Sequence, residues 1–274
     1  MKKSFLSKGF VLTLCVLFSG VFSCFAQDNY RQTIEQLAKV SGGVVDSKEK
    51  IVASFSPILI SMGYADSTAK RVAAEYYDEV FYKDVLDWME SVYKPLTSEA
   101  DLKSAIEFFT SPAGKLAEGH SKIYADEKAQ QGMMTKMMPD ITKIAMGEKA
   151  GKVESDAPKG YQKVFHEYCK LSGMEKSMDV MVSQMLNLMG GNNEKLTKSL
   201  SDYFATNLET LMMDLGYPTM TEEDLNTYVN FFKTNSGKKI SAANSEIIKG
   251  AVKFGLSEAI KFQMMGKEKL KSAE

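Results

Sequence analysis

Apolar side chains recur every three or four residues along most of the chain, and strict alternation is scarce, a pattern that predicts helices and few strands. Ile51, Phe55, Ile58 and Met62 step by 4, 3 and 4 and end at Gly63, a residue suited to the position just past a helix. Pro57 inside that pattern predicts a kink. Beyond the cap candidates Asp66 and Ser67, the positions Tyr77, Phe81, Val85, Trp88 and Val92 step by 4, 4, 3 and 4. At 1.5 Å per residue that helix would be roughly 40 Å long, and it must stop by Pro95, which pushes its preceding residue out of the helical region. Another long helix carries Leu200, Phe204, Leu208, Leu211 and Leu215, then meets Gly216 and Pro218.

Part of the pattern is written twice. "DLKSAIEFFTSPAGK" at 101–115 is matched by "DLNTYVNFFKTNSGK" at 224–238, with six identities in fifteen at an offset of 123. Thr97 or Ser98 is read as the cap of the first copy's helix, whose buried stripe is Leu102, Ala105, Ile106 and Phe109. Behind the cap candidate Thr221 the second stripe is Leu225, Tyr228, Val229 and Phe232. Ser111-Pro112 and Thr234-Asn235 then start a fresh helix in each copy. Upstream, "AKVSG" from Ala38 matches "CKLSG" from Cys169, and "IVASFSPIL" matches "MVSQMLNLM". The fold expected is all-α: two tandem homologous helical-bundle domains, 27–146 and 161–274, each with four or five helices. The polar, proline-bearing stretch 147–160 is read as their linker.

The first 26 residues read as a signal peptide: a charged start at Lys2 and Lys3, an apolar run too short and wrongly flanked to span a membrane, and cleavage after Ala26. Cys24 as a lipid-bearing N-terminus is the alternative. Removing 1–26 takes away Lys2, Lys3 and Lys8 and no acid, so the formal charge moves from -1 to -4. Only Arg31 and Arg71 are arginine, which leaves few planar forks for phosphates or base edges and argues against nucleic acid. Cys169 would be the lone cysteine of the mature chain, so no internal disulfide is available there.

Thr221 to Leu225, Phe231-Phe232 and Ser236-Gly237-Lys238, with Thr97, Asp101-Leu102, Phe108-Phe109 and Ala113-Gly114-Lys115 in the other copy, resemble the bacterial family catalogued as domain of unknown function 2059. The resemblance implies an exported helical protein of Gram-negative bacteria, hence a periplasmic address, and carries no activity. The matched residues Leu102, Phe108, Phe109, Leu225, Phe231 and Phe232 are packing residues.

Candidate chemistry is sparse. Met174, Met178, Met181 and Met185 form a thioether ladder of the kind that binds Cu(I). In the other copy Ile51 and Phe55 take the places of Met181 and Met185, so the ladder is read as core filler, as is "GMMTKMMPD" at 132–140. His166 and Cys169 share a helix at i and i+3 and make at most half a metal site. The alignment of Cys169 with Ala38 predicts a small buried position. Gly114 and Gly237 fall in the first turn of a new helix, followed by Lys115 and Lys238, where a cation is slightly unfavourable. Two explanations stand: an anion held by free N–H groups and the lysine, or close packing at the glycine with a carboxylate nearby.

No P-loop, zinc-protease helix, Gly-x-Ser-x-Gly elbow or calcium loop occurs, and no cofactor is expected. The function expected is a non-enzymatic binding or protein-interaction module whose partner is a protein or a small apolar ligand of the cell envelope. Two other classes stay open. One is a carrier of an apolar ligand or lipid, walled by Met174 to Met189 and Met212-Met213. The other is an enzyme built around His166, Glu167 and Cys169.

Overall fold

The caps and breaks decide where each helix begins and ends. In the computed structural model, which describes residues 29–40, 48–116, 127–175, 182–183 and 194–271, every regular element is helical and no strand occurs among the described residues. The expected signal peptide, its cleavage after Ala26 and the alternative at Cys24 lie outside the described residues, as do Met178, Met181 and Met185.

Helices α1 (Asn29–Val40), α2 (Lys48–Ile60), α3 (Asp66–Tyr76), α4 (Tyr82–Tyr93) and α5 (Glu99–Thr110) come first, then α6 (Glu127–Ala145). The rest are α7 (Lys159–Ser172), α8 (Glu194–Gly216), α9 (Glu222–Lys233) and α10 (Asn235–Lys271). Helix α5 starts with a capping box: the amides of Asp101 and Ser98 donate to Ser98 Oγ (3.2 Å) and Asp101 Oδ2 (2.9 Å). Thr221 and Asp224 repeat that box on α9 at the same offset of 123. Helix α2 stops at Gly63, whose φ of +96° only glycine adopts without strain.

The long helix expected after Asp66 is interrupted by a π-type turn at Tyr77–Phe81, and its cap residue is Ala65 rather than Asp66 or Ser67. The turn explains the spacing of its core face. Tyr76 and Phe81 are five apart, yet both are buried on one side, after which Val85, Met89 and Tyr93 continue in steps of four. The extra residue of a π turn rotates the face back into register.

The chain resolves into two compact units that cut across the expected boundaries. Unit 1 comprises 1–106 with 246–274, and unit 2 comprises 107–245. The expected division at 147–160 assigned 107–146 to the first domain and 246–274 to the second. Packing overrides chain order here, because an apolar stripe specifies a buried face and not the identity of its partner.

In unit 1, Phe55, Tyr76 and Phe262 form a ring cluster with centroids 5.2 to 5.5 Å apart, and Phe81 meets Phe55 at 5.6 Å. Each such buried side chain contributes about 1.5–3 kcal/mol. Tyr76 donates its hydroxyl to Glu258 Oε2 at 2.8 Å, and Glu258 accepts again from Lys261 at 2.7 Å. Burial, then the Glu258 carboxylate, raises the Tyr76 hydroxyl far above its usual pKa. Trp88 stacks on Phe254 at 4.5 Å, and Lys269 reaches Glu75 (2.8 Å) and Glu79.

In unit 2, α7 buries Tyr161, Phe165 and Cys169, and its Tyr168 meets Tyr228 and Phe232 of α9 at 6.1 Å each. Among the described side chains of α6, Met137 and Ile144 are buried, and Lys136 lies 4.0 Å from Asp214 of α8. The segment read as a linker is fastened to α8 at its far end. Asn207, 1% exposed, accepts from the Val153 amide (2.8 Å) and donates to the Gly151 carbonyl (3.2 Å), and Ser155 donates to Asp214 at 2.5 Å.

Candidate functional site

The two Gly-Lys turns are built alike. Ser111 Oγ donates back to the Phe108 carbonyl at 2.5 Å and accepts the Gly114 amide at 3.1 Å, while the Lys115 amide donates to the Ser111 carbonyl at 3.0 Å. Thr234 does the same work in the second turn, with Phe231 O at 2.7 Å, the Gly237 amide at 2.9 Å and the Lys238 amide at 3.1 Å. The glycine and lysine amides that an anion would need are therefore engaged within their own turns. Both lysine side chains are exposed.

The glycines have a steric role. A Cβ on Gly114 would stand 2.2 Å from the Phe108 carbonyl oxygen, and one on Gly237 would stand 2.1 Å from that of Phe231. Each new helix starts pressed against the last turn of the one before it. Close packing was one of the two explanations open for these positions, and the partner is the chain's own preceding helix.

The aromatic pairs that precede the turns meet each other. Phe108 stacks flat on Phe231 at 4.2 Å with 5° between planes, Phe109 meets Phe231 edge-on at 5.7 Å, and Tyr228 donates its hydroxyl to the Gly114 carbonyl at 2.8 Å. Phe231 and Phe232 are buried, as are Leu102 and Leu225, while Phe108 and Phe109 are half-buried. This cluster joins the last residues of α5, 107–110, to α9 within unit 2 and supplies cohesion; it presents no reactive group.

His166 and Cys169 do not converge. His166 is at the surface with Nδ1 3.0 Å from Glu209 Oε1, Glu167 pairs with Lys233 at 2.8 Å, and Cys169 is fully buried. The Cys169 thiol points at Met174 Sδ, 3.7 Å away, and burial, assisted by the carboxylates of Glu209 and Glu175, pushes it well above its ordinary pKa. A thiol so placed is inert. Native protein is expected to react with iodoacetamide slower than urea-unfolded protein by roughly two orders of magnitude or more, read by mass spectrometry; equal rates would put Cys169 in an open setting. Among the described residues no group of three or more His, Cys, Asp or Glu is placed to hold a metal ion.

The surface shows a feature that the sequence reading missed. Helix α10 has two apolar faces. Ile247, Ala251, Ala259 and Phe262 are buried, whereas Leu256, Ile260 and Met264 are 39%, 59% and 59% exposed. At about 100° per residue the second set lies roughly opposite the first. On α6, Met137 and Ile144 are buried while Met138 is 48% exposed, and Met146 just past the helix end is 71% exposed. The core-filler reading of 132–140 thus holds for Met137 and fails for Met138, because a helix can bury only the face its unit covers. The signal was available in the step of four from Leu256 to Ile260 to Met264, a second stripe beyond the one that packing requires.

Compared with protein-family models, with curated proteins and with solved structures, the chain matches none. Its own surface is what the functional reading rests on. Among the described residues no helix is long and apolar enough to cross a membrane.

Proposed function

We propose that this chain is an exported, non-enzymatic interaction module of the cell envelope, built from a duplicated helical unit and related to the family it resembles. The observation that carries the reading is the surplus apolar stripe Leu256, Ile260 and Met264 on α10. Contiguous apolar surface in water is costly to maintain and marks contact sites. Exposed Lys253 and Lys267 lie one turn beyond either end of the stripe. A stripe of this length flanked by cations suits the apolar face of an amphipathic helix with acidic residues at its ends. The partner proposed is a protein presenting such a helix.

A photo-crosslinking residue at position 260 or 264, expressed in the native cell envelope, is expected to give one discrete protein adduct whose crosslinked segment is an amphipathic helix. The same residue at exposed position 242 on α10 is expected to give none. Ile260→Glu should abolish the adduct formed at position 264 while shifting stability by less than about 0.5 kcal/mol, as for other exposed positions. Adducts to lipid alone, or equal yields at 242 and 264, would overturn the reading.

A further inference from the structure

The unit boundaries carry a second meaning when set beside the repeated sequence. Unit 1 contains the helices α1 to α4 and residues 99–106 of α5 from the first half, together with 246–274, which come from the end of the second half. Unit 2 contains α7 to α9 of the second half, together with 107–146, which come from the end of the first.

The contacts inside each unit follow the same scheme. At an offset of 118 the sequence "PDITKIAM", which ends one residue past α6, aligns with "SEAIKFQM" of α10, matching Asp140 to Glu258, Lys143 to Lys261, Ile144 to Phe262 and Met146 to Met264. Asp140 takes Lys143 at 2.8 Å as Glu258 takes Lys261 at 2.7 Å. Ile144 is buried as Phe262 is, and Met146 is exposed as Met264 is. Each acid has a tyrosine beside it: Glu258 accepts from Tyr76, and Asp140 lies close enough to Tyr203 that its carboxylate, after burial, raises that hydroxyl above its usual pKa.

We propose that the two halves of this chain are reciprocal partners: each builds a core and gives its end, 107–146 from the first half and 246–274 from the second, to complete the core of the other. Neither half holds a whole core of its own, so the covalent connection at 147–150 is dispensable once the protein has folded. This is the arrangement of a helix-exchanged dimer written into one chain. It stands on contacts within each unit and is independent of what binds the α10 stripe.

The test is a protease site placed between the exposed Glu148 and Lys149 of the full-length chain, ahead of the segment fastened to Asn207. Cleaved under native conditions, the two fragments are expected to co-elute at the mass of the uncut chain, and their melting temperature should become dependent on concentration. In the cleaved protein, Phe262→Ala should weaken the association of the fragments by about a hundredfold or more, the loss expected for a buried ring. Separation of the fragments into two particles that each keep their helical signal and melt on their own would overturn the proposal. So would co-elution that Phe262→Ala leaves as tight as before.

Discussion

Gly237→Ala is expected to cost about 3 kcal/mol or more, which for a chain of this size lowers the melting temperature by roughly 6–12 °C. In a helix interior the replacement would ordinarily gain up to about 1 kcal/mol. At this position the added carbon would meet the Phe231 carbonyl oxygen at 2.1 Å and the Phe232 Cα at 2.8 Å. Both are backbone atoms in the last turn of α9, so no rotamer change relieves the clash. The start of α10 must swing away from α9, which breaks the Thr234 cap and disturbs the stack of Phe231 on Phe108. Gly114→Ala should fail in the same way, with the Phe108 carbonyl oxygen at 2.2 Å. Gly132→Ala is the control, because a Cβ there meets nothing within 4 Å and α6 simply gains a better helix former. Thermal melts of the three variants decide the matter: a Gly237→Ala protein as stable as the Gly132→Ala protein would mean that the turn is not as tight as described.

These glycines also show what was legible in the sequence. That a side chain is missing because something comes close follows from a glycine in the first turn of a helix. What comes close does not, since it depends on the angle at which one helix leaves another. Two caps were readable for the same local reason, since Ser98 with Asp101 and Thr221 with Asp224 need only their own backbone, whereas Asp66 and Ser67 gave way to Ala65. The π-type turn was hidden because Tyr77, Phe81 and Val85 fit a regular period of four as well as they fit the observed step of five from Tyr76. The burial of Cys169 was expected from its alignment with Ala38, whereas the surface position of His166 depends on which face of α7 is covered. The exposed stripe on α10 escaped notice because an apolar residue at helical spacing is ordinarily assigned to a core; the sequence shows two stripes, and only the folded chain shows that the one with Phe262 is covered and the one with Ile260 is not.

That pair of neighbours sets up the other large effect. Phe262→Ala is expected to cost about 3–5 kcal/mol, whereas Ile260→Ala, two residues earlier on the same helix, should stay within about 0.5 kcal/mol. Phe262 is fully buried and makes edge-on contacts with Phe55 at 5.2 Å and Tyr76 at 5.3 Å. Its removal leaves a ring-sized cavity between α2 and α3 that rigid aromatic neighbours cannot collapse to fill. The consequence should appear far away in sequence. Amide hydrogen exchange in α2, α3 and α4 should accelerate along with that of 246–271, since all belong to one unit. If α10 merely lay on a core that was complete without it, the variant would loosen 246–271 alone and leave α2 to α4 protected. The pattern of exchange, more than the size of the stability loss, therefore tells whether the end of the chain completes the fold of its beginning.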